Sequence, residues 1–216
     1  MNTDTCSAGT RRRGVLLVIS SPSGAGKSTL CARLMQECAV RLSISATTRP
    51  PRGKEKNGVH YHFFSEAEFL QKRDQGTFIE WAEVHGHYYG TLRQTVEDAL
   101  NTGQDLLFDI DYQGAAQLYE KMPQDIVSVF ILPPSMHELR LRLKRRAENS
   151  SASMALRLRN AHEEMRHWGA YDYVIINQDI DASFSQLHSI YQAEILKRWR
   201  RPSLSTFMEQ LFSETL

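Results

Sequence analysis

The chain has 216 residues, a formal net charge of +1, and 41% hydrophobic and 24% charged residues. That is the composition of a globular protein. It lacks the one-sign field of a nucleic-acid or membrane binder and the roughly 20-residue apolar run of a membrane span. Its 3 cysteines, Cys6, Cys31 and Cys38, are odd in number and lack metal-ligand spacing, which argues against a disulfide framework. Residues 1–13 lack the apolar stretch of a secretory signal, and a cytoplasmic protein is expected. The basic clusters Arg11-Arg12-Arg13 and Lys197-Arg198-Trp199-Arg200-Arg201 read as solvated termini.

Residues 15–19 are an apolar, β-branched run that reads as a buried strand. The run leads through Ser20-Ser21-Pro22-Ser23-Gly24-Ala25-Gly26 into Lys27-Ser28-Thr29, the start of a helix reaching residue 38. Strand, small-residue loop and helix, in that order, are the setting of a phosphate-binding P-loop. Gly24 and Gly26 allow positive φ, so successive N–H groups can turn inward on an anion. Lys27 supplies a full charge for the β- and γ-phosphates, and Ser28 a hydroxyl for Mg²⁺. Ser21 stands where the strict pattern has its first glycine.

Leu42, Ile44 and Ala46 alternate and predict one short strand, which Pro50-Pro51 ends. Arg49 and Arg52 sit in this stiffened loop and are candidate anion ligands. Residues 61–64 read as a strand, and Ser65-Glu66-Ala67-Glu68 as a capping box opening a short helix. Residues 78–84 alternate apolar and acidic, which puts Glu80 on the face opposite Ile79 and Trp81. A turn at 85–87 precedes Tyr88-Tyr89-Gly90-Thr91. The whole stretch 42–91 is a small, mainly β block suited to a second substrate.

A helix is predicted over 91–101, ended by Gly103. Residues 105–111 predict a strand terminating in Asp109 and Asp111, the place where a P-loop enzyme keeps its Mg²⁺-associated carboxylate. Residues 126–132 are a further buried strand. Residues 135–168 are helical and basic, with a polar break at 148–151. Their cations, Arg140, Arg142, Lys144, Arg145, Arg146, Arg157 and Arg159, face inward in the reading of this pair as a mobile lid. Residues 173–177 predict the last strand, 183–199 a closing helix, and 201–216 either a short docked helix or a tail.

Alternating strands and helices predict an α/β fold: a P-loop parallel sheet core with helices on both faces, a small mainly β insertion and a helical lid. The expected division is a core of 14–41, 92–134 and 169–200, a second-substrate domain of 42–91, a lid of 135–168, and tails of 1–13 and 201–216. Ligands belong beyond the carboxyl ends of the strands, where Ser20, Asp109 and Asn177 lie.

With these residues in view, the chain resembles the guanylate kinases over nearly its whole length. The carrying segments are Ser-Pro-Ser-Gly-Ala-Gly-Lys-Ser-Thr (21–29), Ser-Ala-Thr-Thr-Arg-Pro-Pro-Arg-Gly (45–53), Asn-Gly-Val-His-Tyr-His-Phe (57–63), Phe-Ile-Glu-Trp-Ala (78–82), Tyr-Tyr-Gly-Thr (88–91), Asp-Ile-Asp-Tyr-Gln-Gly (109–114), Ile-Leu-Pro-Pro-Ser (131–135) and Asn-Gln-Asp (177–179). The resemblance implies Mg²⁺-dependent phosphoryl transfer from ATP to GMP or dGMP, without nucleic-acid or membrane partners, by a monomer or homo-oligomer. It implies that residues 21–29 and Asn177 bind ATP. Arg49, Arg52, Tyr61 and Tyr89 would hold the GMP phosphate; Ser45, Glu80, Thr91 and Asp111 would read guanine. Lys27, Arg49, Arg142, Arg146 and Arg157 are the implied catalytic cations, and Ser28 with Asp109 the implied metal ligands. Ala147 and Gln178 depart from the family pattern. Two other readings remain at this level: a non-catalytic protein-binding module of guanylate-kinase shape, and a kinase for another phosphorylated acceptor.

Overall fold

The computed structural model describes residues 12–84, 86–110, 112–146 and 151–214. The first strand, β1 (Leu16–Ser20), is buried at every position. Helix α1 (Lys27–Glu37) and strand β2 (Val40–Leu42) follow. Next come β3 (Ala46–Thr47), β4 (His62–Phe63), α2 (Glu66–Asp74), β5 (Phe78–Val84) and β6 (His87–Leu92). The chain continues through α3 (Arg93–Thr102), β7 (Asp105–Phe108), α4 (Tyr112–Lys121) and β8 (Ile126–Leu132). It ends with α5 (Met136–Arg146), α6 (Ser151–Met165), β9 (Tyr173–Ile176), α7 (Ile180–Ile195) and α8 (Leu204–Ser213).

Five strands form a parallel sheet in the order β2-β7-β1-β8-β9. Helices cover both faces, so β1 is apolar at each position from Leu16 to Ile19. Its side chains still alternate. Val15, Leu17 and Ile19 pack with Leu30 and Leu34 of α1 and Leu187 of α7. Leu16 and Val18 pack the other way, with Val96 and Leu100 of α3 and Leu118 of α4. A second sheet, β4-β3-β6-β5, has its own small core of Ala46, Phe69 and Phe78. In α5 and α6, Leu139, Leu143 and Ala161 pack together. The capping box of α2 is formed: the Ser65 hydroxyl accepts from the Glu68 N–H, and the Glu68 carboxylate accepts from the Ser65 N–H.

Four expectations are corrected. Leu42, Ile44 and Ala46 do not share a strand, because the chain leaves the main sheet after β2 and enters the small one at β3. Thr91 belongs to β6 rather than to a helix, since it pairs with Glu80 across the antiparallel ladder. The lid helices turn only part of their charge inward: Arg140, Lys144, Arg145 and Arg159 are exposed, while Arg142 and Arg157 are half-buried. The basic clusters near the termini are not simply solvated. Arg12 pairs with Asp105 at 2.5 Å, and Arg13 with Asp125 at 2.6 Å. Arg200 is fully buried and donates to the carbonyl oxygens of Gly14, Gln124 and Asp125. Beyond it, α8 leaves Phe207, Met208, Leu211 and Phe212 exposed.

Candidate functional site

The carboxyl end of β1 opens into the loop expected to bind phosphate. Gly24 and Gly26 have φ of 91° and 104°, the left-handed region that side chains avoid. A Cβ on Gly26 would also run into the Asn177 amide. Asn177 is buried and donates to the Ala25 carbonyl at 2.7 Å, so the end of β9 braces the loop. Lys27 begins α1 and donates to Asp109, just beyond β7. Ser28 and Thr29 are exposed in the first turn of the helix, whose unpaired amides and dipole favour an anion.

Two clefts meet beside this loop. One, of about 400 Å³, is bordered by Ser21, Lys27 and Asp109, and by Asn160 and Glu164 of α6. The other, of about 200 Å³, is bordered by Ser45, Tyr61, Glu80, Tyr89 and Asp109. Asp109 therefore stands where a donor and an acceptor bound in the two clefts would approach each other.

Glu80 is the buried carboxylate of the second cleft, 4% exposed. Thr91 donates to it at 2.5 Å. Its own strand is clamped by α4: the Gln117 side chain exchanges hydrogen bonds with both the N–H and the C=O of Trp81, and Lys121 donates to the Ile79 carbonyl. A Cβ on Gly114 would come within 2.8 Å of the carboxylate, so only glycine gives Glu80 its room.

Tyr61 and Tyr89 meet edge to face, with ring centroids 6.2 Å apart. Burial pushes the Tyr61 phenol up from its ordinary pKa. The Arg49 guanidinium lies 5.4 Å from the Tyr61 ring centroid and is almost wholly buried. Arg52 is exposed at the rim. Glu55 was not singled out by sequence reasoning, yet it accepts from Arg49 Nη2 at 2.9 and 3.0 Å and from the Arg52 N–H at 2.7 Å. Glu164 was missed too; it accepts from the Ser23 N–H of the phosphate loop at 3.3 Å.

A third cleft, of about 330 Å³, is bordered by Gly24, Gly26, Thr29, Arg142 and Asn177. Arg142 donates to Glu138 at 2.9 Å and to the Asn177 carbonyl at 3.1 Å. It thus lies with Asn177 against the outside of the loop rather than with Lys27. Arg157 is half-buried on α6, one turn before Asn160 and two before Glu164, and is not among the residues that border the first cleft. Asp111 and the Arg146 side chain lie outside the described residues.

The metal expectation meets one hydroxyl and one carboxylate, Ser28 and Asp109. These are hard oxygens of the kind Mg²⁺ takes together with substrate phosphates and water. The Asp109 side chain is 54% exposed, open enough to change partners.

A family model described as Guanylate kinase matches residues 13–194. The chain belongs to the guanylate kinase family. Relatives agree over nearly their full length. A protein of Bartonella henselae named "Guanylate kinase" is 58% identical over 95% of this chain and 93% of its own. One of Chelativorans sp. with the same name is 55% identical over 99% of each. A solved guanylate kinase from Anaplasma phagocytophilum superposes with a TM-score of 0.75 at 39% identity, covering 94% of this chain and 98% of that one. The protein is thus a guanylate kinase by family, fold and full-length similarity, and a nucleoside monophosphate kinase by class. No helix among the described residues is long and apolar enough to cross a membrane.

Proposed function

We propose that the protein transfers the γ-phosphoryl group of ATP to GMP or dGMP, with Mg²⁺, giving ADP and GDP or dGDP, as a cytoplasmic enzyme of purine nucleotide metabolism. Residues 42–91 act as the acceptor domain and 135–168 as the lid over the remaining core. The observation that carries this reading is a buried carboxylate, Glu80, in a cleft that shares Asp109 with the phosphate loop. Guanine offers two adjacent donors, N1–H and the 2-amino group, and one carboxylate can accept both. Adenine offers a lone pair at N1 and no 2-amino group, so Glu80 would face a lone pair. A site built to bond a substrate N–H rejects an analogue lacking it by roughly 10⁴–10⁵-fold. Ser45, Thr91 and Asp111 complete this base site.

Arg49, Arg52, Tyr61 and Tyr89 hold the acceptor phosphate. Its second ionisation lies near pH 6, by analogy with phosphoserine, so the attacking oxygen is already charged at neutral pH and needs no strong base. Catalysis is then positioning and charge neutralisation. Residues 21–29 cradle the ATP phosphates, and Arg142 and Asn177 hold the adenine side. Lys27, Arg146 and Arg157 share the charge of the transferring group, a role in which an arginine is worth roughly 10³–10⁵ in rate. Ser28 and Asp109, together with the phosphates, would hold Mg²⁺, which would supply charge neutralisation there.

ADP formation from ATP and Mg²⁺ across a panel of nucleoside monophosphates tests the reading. GMP and dGMP are expected to turn over rapidly, with AMP, CMP and UMP lower in kcat/KM by about 10³-fold or more. Absence of turnover with GMP in folded protein would overturn it.

A further inference from the structure

We propose that Glu55 is a positioning residue for the acceptor phosphate, closing the Pro50-Pro51 loop into a ring that aims Arg49 and fixes the backbone of Arg52 before any ligand arrives. The proposal rests on the placement of the acceptor phosphate at Arg49 and Arg52.

The ring is read directly from the contacts. Both Glu55 carboxylate oxygens accept from Arg49 Nη2, at 2.9 and 3.0 Å. One of them also accepts from the Arg52 N–H at 2.7 Å, and the Glu55 N–H donates back to the Arg52 carbonyl at 3.0 Å. One side chain therefore gathers both arginines of the loop, the first by its guanidinium and the second by its backbone. The prolines between them remove much of the remaining freedom. Glu55 and Arg49 reinforce each other's charged forms: the hydrogen-bonded pairing holds the Glu55 carboxyl below its usual pKa and raises that of Arg49.

Donor accounting shows why this arrangement serves a phosphate instead of replacing one. A guanidinium has five N–H donors in a rigid fork. Glu55 takes Nη2, and the Pro50 carbonyl takes one Nη1 hydrogen at 2.8 Å. The Nε–H and the second Nη1 hydrogen are engaged by neither group. The guanidinium is held by Glu55 on one side and lies 5.4 Å from the Tyr61 ring centroid, and Tyr89 also bonds to it, so its remaining donors are held close to the two tyrosines. A side chain oriented beforehand gives up little freedom when the anion binds. Arg49 is only 6% exposed, so without Glu55 it would carry an unpaired charge out of water.

Steady-state kinetics of Glu55→Ala, Glu55→Gln and Arg49→Ala test the proposal, with KM for GMP, KM for ATP, kcat and melting temperature measured for each. Glu55→Ala is expected to raise KM for GMP by roughly 10–100-fold through misorientation of the arginine, with KM for ATP within about twofold. Glu55→Gln keeps an acceptor of the same shape and should recover part of the loss. An unchanged or lowered KM for GMP in Glu55→Ala overturns the proposal, whatever happens to melting temperature. An unchanged value means a merely structural glutamate, and a lowered value means one that competes with phosphate. If Glu55→Ala does not fold, KM for GMP in Glu55→Gln decides in the same way. Arg49→Ala separates the two levels. If it too leaves KM for GMP unchanged, the acceptor-site reading fails; if it raises KM while the Glu55 variants do not, only the role of Glu55 fails.

Discussion

The two ends of the main sheet both carry buried or half-buried cations, in different surroundings. At the amino ends of β1, β7 and β8, Asp105 accepts from Arg12, from the Val15 N–H and from the Tyr191 hydroxyl. Asp125 takes Arg13 through two bonds of 2.6 Å. Arg200 closes the set from the far end of the chain, and the Arg13 N–H donates to its carbonyl at 2.7 Å. Each charge there is answered by protein. At the carboxyl ends, Lys27 borders the first cleft and Arg49 lies beside Tyr61 of the second. The arginines of the amino ends meet carboxylates and carbonyls of the fold, although the buried Arg200 Nε finds no partner among the described residues; Arg49 lies beside a cleft. Residue type is the same in both places, and the surroundings, packed protein at one end and open cleft at the other, tell them apart.

The strongest way to break this comparison is to remove one cation from each end. Lys27→Ala should lower kcat by about 10³-fold or more, because it removes charge that matters in the transition state. Its melting temperature should stay close to that of the parent, since the Asp109 it pairs with is more than half exposed. Arg200→Leu should do the reverse. It orphans the Gly14 and Gln124 carbonyls, while the Asp125 carbonyl keeps the Leu16 N–H and the Asp125 carboxylate keeps Arg13, for a loss of about 3 kcal/mol. In a chain of this size that is a fall of roughly 6–12 °C in melting temperature, with kcat near the parent value in the folded fraction. Equal effects on both properties in both variants would erase the distinction between the ends. Burial draws the Arg200 pKa down to about 10, which leaves it charged at neutral pH and keeps this expectation valid there.

A smaller effect sharpens the same contrast. Tyr173 donates to Glu194 at 2.8 Å, and that bond, helped by burial, lifts its pKa to about 12. A raised folded value means that its contribution is intact below the unfolded pKa near 10 and is lost as pH rises toward 12. Urea midpoints measured from pH 9 to 11.5 should decline more steeply in the parent than in Tyr173→Phe. Parallel curves would mean that the phenol does not carry the alkaline loss.

What the sequence made legible follows the range of the forces involved. The phosphate loop, the capping box at Ser65 and Glu68 and the strand at Ile126–Leu132 all depend on neighbours within a few residues. The period-2 reading around Glu80 does not hold, because the ladder shifts register between Phe78 and Glu80 and Ile79 and Trp81 pack on different clusters. The roles of Arg12, Arg13 and Arg200 do not: the partners of Arg12 and Arg13 lie 93 and 112 positions away, and a basic cluster beside a terminus has no local sign of them. Arg142 was legible as a cation on a helix, but its bond to the Asn177 carbonyl comes from the packing of α5 on the loop. Glu55 is a different failure. Its partners are three and six residues away, but a loop built on two prolines has no period to reveal which side chains face each other. An Arg-x-x-Arg-x-x-Glu spacing beside a proline pair is the signal that could have found it.

The most direct test of the central claim, that a buried carboxylate selects guanine by accepting two hydrogen bonds, is the ratio of kcat/KM for GMP to that for AMP in the parent and in Glu80→Gln. A glutamine amide has one acceptor and turns a donor toward the position where guanine also has a donor. The ratio is expected to fall by about 10³-fold or more, mostly through loss on GMP. A ratio unchanged in the folded variant would contradict it and would move guanine recognition away from Glu80.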